Sequence, residues 1–535
     1  MTPLPAHRIP LVLALLLTAL LGWIYLHRIA ANPAKWEEPR RCLVALEMVE
    51  RGDYVVPRVL GRPYHNKPPL HAWAVAVAAG FRYERVAPVA VRMVSLASLS
   101  LICLLLWRMG SSGTQPRSDP LPALIFATTG TVIQFGRVGE IDLFFCGWIF
   151  GALACFELGR RRQAAWLQWW LPQVLVGAGV LTKGFAPLLV YPPLLWVAWT
   201  MRERVRFSAA WFFLGLLSMV GTVAAWIVPY AIAADLASLR AGWGAELAHV
   251  TVGRGAGALL QHLLSYPFVA LGIGLPWALL PFASDREGRA AAWARMQSDP
   301  WLRLCGVTIV WVFLVYLFVP GTHGRYLMPG LPLLAVWAAD LLRHDFVRRS
   351  VRRLLDGPRV PMLVAAAGTA YVLIAGAALR ERRAEVVFSL VTGAAALLLG
   401  LALRRSGATA GPTAALLSVA LVYGAATAGV WEGRSAERGA EDERVAAQLA
   451  GAIDAALPVV SDGDRGRWLR VGFALSRRIG RVVGAPPLPQ QAHYLLRRRQ
   501  RPHPPRSALL ARSGDFAIYR IAPAGNAAAE TPESP

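Results

Sequence analysis

Apolar stretches, each close to the ~20 residues a helix needs to cross a bilayer, recur along most of this chain. In lipid every backbone N–H and C=O must be satisfied within its own segment, so such runs fold as helices packed side by side. Spans are predicted at 9–28, 87–107, 119–135, 141–158, 166–181, 184–200, 209–230, 264–282, 301–319, 326–343, 361–379, 385–404 and 412–431, thirteen in all. The fold class that follows is an all-α polytopic membrane protein. Only 16% of the residues are charged, against about 25% in a soluble chain. The first run, HRIPLVLALLLTALLGWIYLHR, has features of a signal peptide. No small-x-small cleavage site precedes ANPAKW, so an uncleaved first helix is expected.

The net charge is +24, mostly from arginine. With the N-terminus in the cytoplasm, the inside loops collect Arg108 and Arg117, Arg160–Arg162, Arg202, Arg204 and Arg206, Arg286, Arg289 and Arg295, the 343–359 cluster, and Arg404 and Arg405. The short outside loops carry few cations, which is the positive-inside pattern. An odd number of spans then puts the C-terminal tail outside, in a bacterial inner membrane with a periplasmic C-terminus. No soluble basic domain precedes the spans, which argues against nucleic acid. Cys42, Cys103, Cys146, Cys155 and Cys305 have neither metal-ligand spacing nor a disulfide pattern.

Two outside segments, 29–86 and 231–263, are too long to be simple connectors. They belong to the membrane domain, 1–431. The tail changes composition. WEGRSAERGAEDERVAAQLAGAIDAAL has helical apolar spacing, and LPVVSD and DFAIYRI read as strands. A small α/β domain over 432–520 is predicted, followed by a disordered tail, 521–535.

The first outer segment is the most distinctive. Pro39 suits the first turn of a short helix that Gly52 ends. Glu37 and Glu38 stand at its entrance, where capping in the field of the helix dipole is the plainer role. Further on, in GRPYHNKPPLHAW, Lys67 precedes two prolines. Proline fixes its own φ and drives the preceding residue out of the helical region. Lys67 is therefore extended on a stiff backbone, suited either to snorkelling at a membrane surface or to holding an anion. LHAWAVAVAAG then forms a short interfacial helix with Trp73 at headgroup level.

Other polar residues gather at the same face. Asp142 in GEIDLFF lies just inside the outer end of a span, where an acid needs a partner or a cavity; Arg92 and Arg137 are candidate partners. Lys183 in LTKGFAP, and His323, Arg325 and Tyr326 in GTHGRYLMPGLP, sit at outer mouths. The second long segment adds Glu246, His249, Arg254 and His262. Their spacing matches no strong zinc signature, so no metal ligands are assigned. Acids among several cations at one membrane face suit a reaction on an anionic lipid.

These motifs resemble, in order, those of the GT-C membrane glycosyltransferases that use a polyprenyl-phosphate sugar. The bacterial aminoarabinose–lipid A transferases and their protein O-mannosyltransferase relatives are the nearest group. The resemblance is carried by EEPR, GDYVVPR, PYHNKPPLHAW, VRMVSLASL, GEIDLFF, LTKGFAPLL, GLPW and RYLMPGLPLLA. It implies a GT-C fold of about thirteen transmembrane helices with an outer C-terminal domain. It places functional positions on Glu37, Glu38, Arg40, Lys67 and Asp142, and further ones on Tyr64, Arg254, His262 and Tyr326. The family commonly has Glu before Lys-Pro-Pro, an acid associated with a metal in some members. Asn66 stands there in this chain, which makes a divalent metal doubtful.

The expected reaction moves a sugar from undecaprenyl or another polyprenyl phosphate to an envelope acceptor, lipid A or another glycolipid, or a protein. Lys67 and Arg40, with Arg254 or Arg325, would stabilise the leaving phosphate. Glu37 would act as base or orient the acceptor. Glu38 and Asp142 would bind sugar or hold the basic residues. A transporter or flippase for the same lipid-linked sugar, or a binder of anionic lipid, are the alternatives.

Overall fold

The computed structural model describes residues 8–110, 118–234, 236–237, 239–241, 243–244, 255–343, 391–395, 398, 438–454, 457–463, 466–484, 492–502, 504–505 and 507–522. The chain divides into two compact units. The first holds residues 1–29, 66–70 and 92–434, and the second 30–65, 71–91 and 435–535.

The first unit is helical throughout its described part. Its helices are α1 (Arg8–Leu26), α4 (Pro88–Met109, which begins in the second unit), α5 (Pro120–Thr128), α6 (Gly130–Gly136), α7 (Ile141–Arg162), α8 (Ala165–Trp169), α9 (Leu171–Lys183), α10 (Tyr191–Thr200), α11 (Ala209–Ala233), α12 (Ala256–Ile273), α13 (Arg286–Ser298), α14 (Pro300–Leu317) and α15 (Leu331–Arg343). Among the described residues, α4, α7, α11, α12 and α14 are long and apolar enough to cross a membrane. Several predicted spans are broken. The run over 119–135 becomes α5 and α6, because Thr129 turns to an extended ψ of 128°. The hydroxyls of Thr128 and Thr129 bond back to the carbonyls of Leu124 and Ile125. The run over 184–200 starts as a 3-10 turn, Ala186–Val190, before α10. The spans predicted at 361–379 and 412–431, and nearly all of 385–404, lie outside the described residues.

α7 is the most enclosed of the long helices, while α11 and α12 turn large apolar side chains outward. Phe213, Leu217, Ile232, Leu264 and Phe268 are all more than half exposed. An apolar outer surface of that kind fits lipid rather than water as its solvent. α7 and α9 run antiparallel, joined through α8. Gly159 permits the tight approach at that bend, since a Cβ there would fall 2.3 Å from the backbone nitrogen of Gln168.

The second unit joins the first outer segment to the tail. α2 (Glu38–Arg51) begins with Pro39 in its first turn and ends on Gly52 at φ +66°, as its sequence predicts. A two-stranded hairpin follows, β1 (Arg58–Val59) and β2 (Arg62–Pro63), and then α3 (Leu70–Ala78). The hairpin turn, Leu60-Gly61, has φ values of 51° and 77°, the left-handed pair that suits the twist of a two-residue turn. Trp73 donates its indole N–H to the carbonyl of Tyr54 at 2.8 Å, a tether that its expected place at headgroup level did not anticipate.

The tail contributes a helix over 438–450, β3 (Val459–Ser461), α16 (Arg467–Ile479), β4 (His493–Arg498), β5 (Ser507–Ser513) and β6 (Phe516–Ile521). The sheet order is β3-β4-β6-β5. β3 and β4 are parallel, with α16 between them in sequence, and the other pairs are antiparallel. Asp442 receives Arg467 and Arg470, tying the 438–450 helix to α16. α16 packs on α2: a Cβ on Gly472 would touch Leu60 at 3.1 Å, and Val482 N–H donates to Glu50 at 2.8 Å. Tyr83 donates to the carbonyl of Ser476 at 2.9 Å.

Glu47 of α2 supports the hairpin from beneath. It is 1% exposed, and both its oxygens accept the Gly61 N–H, at 3.1 and 3.0 Å. Burial pushes its carboxyl up to about 7, against the downward pull of Gly61 and Arg51. A carboxyl with a raised pKa stabilises the fold fully below the unfolded value near 4.5. That stabilisation is lost as pH rises through about 7. The window is worth about 3 kcal/mol. Glu47→Gln is expected to flatten this slope between pH 4.5 and 7, read as the unfolding midpoint of the full-length protein at each pH.

Candidate active site

Two groups of the residues singled out above assemble, one in each unit. In the first unit the centre is a buried ion pair. Asp142 lies in the first turn of α7 and Lys183 is the last residue of α9. Each charge complements the dipole of its own helix end. The antiparallel pairing of α7 and α9 brings these ends to one face. Lys183 Nζ lies 2.6 Å from Asp142 Oδ1, with the carboxylate 2% exposed. Lys183 is a partner that the sequence did not suggest. Arg92 and Arg137, the expected candidates, donate to the carbonyls of Ile29 and His27, at 2.6 and 3.1 Å, and so fasten the end of α1. Lys183 was visible in LTKGFAP, but nothing in that motif pointed to Asp142, 41 residues earlier.

Aromatic rings frame the ammonium. Lys183 Nζ sits 5.1 Å from the Phe145 centroid and 4.7 Å from that of Tyr326, within cation–π range. Arg325 and Tyr326 ride on a 3-10 turn, Gly324–Gly330. Tyr326 also contacts Tyr316 and His323, with centroids 5.6 and 6.0 Å apart. His262, expected in the second outer loop, stands inside α12, because that helix begins at Ala256. Its Nε2 lies 3.1 Å from the carbonyl of Tyr316, and its ring packs on Tyr266 at 4.6 Å.

Lys67 belongs to the same unit. The segment Asn66–Leu70 packs with the helices, although the chain on both sides of it is in the second unit. Pro68 and Pro69 are buried and Lys67 is half-buried. Lys67 and Arg325 are both within electrostatic range of Lys183. Among the described residues the first unit therefore gathers three cations, Lys67, Lys183 and Arg325, about Asp142, with Glu140, also buried, two residues before it. Beneath the 3-10 turn lies an apolar cavity of about 350 Å³ between α12, α14 and α15, lined by Pro267, Leu271, Phe282, Val312, Phe313 and Leu334 among others.

In the second unit Glu37, Glu38, Arg40 and Tyr64 form the other group. Glu37 makes no capping hydrogen bond and pairs with Arg40, three residues on. Glu38 does the structural work: it is fully buried and accepts the Lys35 N–H at 2.7 Å. Arg40 lies 5.9 Å from the Tyr64 ring, and Arg41 Nη1 is 3.4 Å from the Tyr64 hydroxyl. Asp53 explains the Gly-Asp-aromatic motif. It accepts the N–H groups of Val55 and Val56 at 3.0 and 3.1 Å and pairs with Arg58, setting the loop that enters the hairpin. Burial pushes its carboxyl up, but Arg58 and these N–H groups outweigh it and hold it below the usual range.

Arg254, with Glu246 and His249, lies outside the described residues. Among the described residues no three His, Cys, Asp or Glu side chains converge as metal ligands, and position 66 offers an amide in place of an acid. No step below is routed through a divalent ion.

The family model described as dolichyl-phosphate-mannose-protein mannosyltransferase matches residues 66–228. The undecaprenyl phosphate-alpha-4-amino-4-deoxy-L-arabinose arabinosyl transferase 1 of Sodalis glossinidius is 30% identical over 356 residues, 64% of this chain and 60% of that protein. A Pseudomonas aeruginosa transferase of the same description is 28% identical over 358 residues, 62% and 59% of the two chains. The matched part thus spans about three fifths of the length of these relatives. The crystal structure of ArnT from Cupriavidus metallidurans bound to undecaprenyl phosphate superposes with a TM-score of 0.70 at 16% identity, covering 95% of this chain and 97% of that one. The resemblance carried by the motifs is borne out: the chain is similar to the aminoarabinose transferases and has the GT-C fold, mostly helical with a small C-terminal sheet.

Proposed function

We propose that this membrane protein is a GT-C glycosyltransferase that moves a sugar, aminoarabinose-like or a hexose, from undecaprenyl phosphate to lipid A or another envelope glycolipid. The curated relatives carry that donor and sugar in their names. The observation that carries the reading is the gathering of Lys67, Lys183 and Arg325 about Asp142. The donor is a phosphodiester with one negative charge. When the bond from the anomeric carbon to the phosphate oxygen breaks, its electron pair stays on that oxygen, and the leaving monoester approaches two charges. Lys67, Lys183 and Arg325 about the Asp142 carboxylate supply a positive field suited to that change. Donors fixed in advance stabilise it without reorganisation at the moment of reaction. The apolar cavity beneath Leu327 and Gly330 would take part of the isoprenoid chain.

A new bond forms between the anomeric carbon and an acceptor oxygen. If that oxygen is a hydroxyl, Glu37 takes its proton. If it is a phosphate oxygen of lipid A, no proton moves and Glu37, held by Arg40, orients the nucleophile. Glu38 maintains the entrance of α2 that presents Glu37. Arg40 and Tyr64 would contact the phosphate or the sugar, and Arg254 and His262 would assist in binding. The reading includes thirteen spans, a cytoplasmic N-terminus, and a catalytic face and tail in the periplasm. The family-model match to protein mannosyltransferases keeps a protein acceptor as the second reading.

The test supplies the purified protein with undecaprenyl-phosphate aminoarabinose and lipid A, and measures free undecaprenyl phosphate and lipid A mass. Release with a heavier lipid A is expected, and Glu37→Gln should lower it about 10²–10⁴-fold if the acceptor is a hydroxyl. Movement of intact donor across a vesicle without cleavage would establish a transporter instead. Release that depends on an added peptide would establish the protein acceptor.

A further inference from the structure

At the other end of α7 a second site has no part in this chemistry. Arg160 lies 18 residues from Asp142, roughly 27 Å along the helix, and so near the opposite membrane face. A cavity of about 1050 Å³ opens there, lined by Leu104, Leu105, Trp107, Arg108, Leu158 and Arg162 among others. A second, of about 680 Å³, lies between the 203–206 turn and the start of α14. The two share Arg160 and Gln163 and so adjoin as one groove, whose smaller part also carries Glu203 and Asp299.

The arginines of this groove are not equivalent. Arg160 and Arg161 are committed to Glu157, which is 1% exposed; Arg160 reaches it through two bonds of 2.7 Å and Arg161 through one of 2.6 Å. Arg161 also donates to the carbonyl of Met109 at 2.8 Å, locking the ends of α4 and α7 together. Among the described residues Arg108 and Arg162 have neither a hydrogen bond nor an ion pair partner; Arg108 lies over the neighbouring Trp107 ring at 5.8 Å. Among the described residues no acid lines the larger cavity. Its apolar wall, Leu104, Leu105, Trp107 and Leu158, is the last turns of two spanning helices. That wall continues into the bilayer, where a soluble anion has nothing to gain.

We propose that this groove binds the headgroup of an anionic glycerophospholipid from the leaflet opposite the active site. The phosphate lies between Arg108 and Arg162, and an acyl chain runs along Leu104, Leu105 and Leu158. Basic pockets between helix ends are the usual form of such sites. The relation between the two faces depends only on α7 crossing the membrane, not on which way the protein is inserted.

The test is native mass spectrometry of the delipidated full-length protein, titrated with phosphatidylglycerol or phosphatidylcholine. The wild type should hold phosphatidylglycerol selectively. Arg108→Gln/Arg162→Gln should bind it about 30-fold more weakly, from about fivefold per basic residue, with an unchanged melting midpoint in lipid-free detergent. Should the double variant not fold, Arg108→Gln and Arg162→Gln singly should each show the fivefold loss. Equal binding of phosphatidylcholine, equal binding by the variants, or displacement of the lipid by millimolar inorganic phosphate would each overturn the proposal. None of these readouts involves sugar transfer, so failure here leaves the proposed activity untouched.

Discussion

Lys67→Ala is expected to slow release of undecaprenyl phosphate by about 10²–10³-fold while leaving the protein as stable as before, or slightly more so. The kinetic loss follows from where the cation is held. Pro68 and Pro69 are buried, lack N–H donors and fix their φ, so the Lys67 backbone has little freedom. The segment that carries it packs with the helices that hold Asp142 and Lys183. The stability gain follows from charge: Lys67 and Arg325 both act on Lys183, and removing one cation relieves like-charge repulsion. Opposite signs for activity and stability mark a functional residue, whereas a structural lysine would lose both. Single-turnover kinetics on the purified protein, beside a melting curve, measure the two together. A variant that turns over at the wild-type rate would remove Lys67 from the mechanism.

The second large effect is on folding. Asp142→Leu leaves Lys183 as a buried cation without its carboxylate, and such a break costs about 3–5 kcal/mol. The double change Asp142→Leu/Lys183→Met removes both charges and fills similar volume. It should recover most of that stability, because a buried pair contributes little net over apolar packing. Activity should not recover, since the field around the phosphate has lost a cation that Phe145 and Tyr326 position. Denaturant midpoints for the two singles and the double give the coupling directly. If the singles cost no more than the double, Asp142 and Lys183 are not a pair in solution.

Much of this protein was legible before its structure. The short helix after Glu37, its proline start and its Gly52 stop are local properties of a dozen residues, and they appear where the sequence puts them. The strands at 459–461 and 516–521 were readable from their β-branched and aromatic runs. β4, β5 and α16 were not, because the arginines of HYLLRRR and RWLRVGFALSRR obscure the apolar pattern. The run over 119–135 read as one helix because hydropathy averages over a window and does not see the turn at Thr129.

At the site, capping was the plainer role for both glutamates, and the structure separates them. Glu38 takes the backbone N–H and Glu37 is left half-exposed with Arg40. That division depends on one hydrogen bond, and two adjacent carboxylates look alike in a sequence.

Hydropathy, proline spacing and motif order by themselves determined that this is a helical membrane protein with a rigid cation at one face and a family resemblance running through its motifs. Those signals act between residues a few positions apart, so no packing is needed to read them. Only the tertiary structure decided that Asp142 meets Lys183, that Lys67 leaves its own loop to join the helices, and that the first outer segment and the tail form one body. Each of these depends on which helix faces which. That choice is made by shape and burial across tens to hundreds of residues, and no window along the chain contains it.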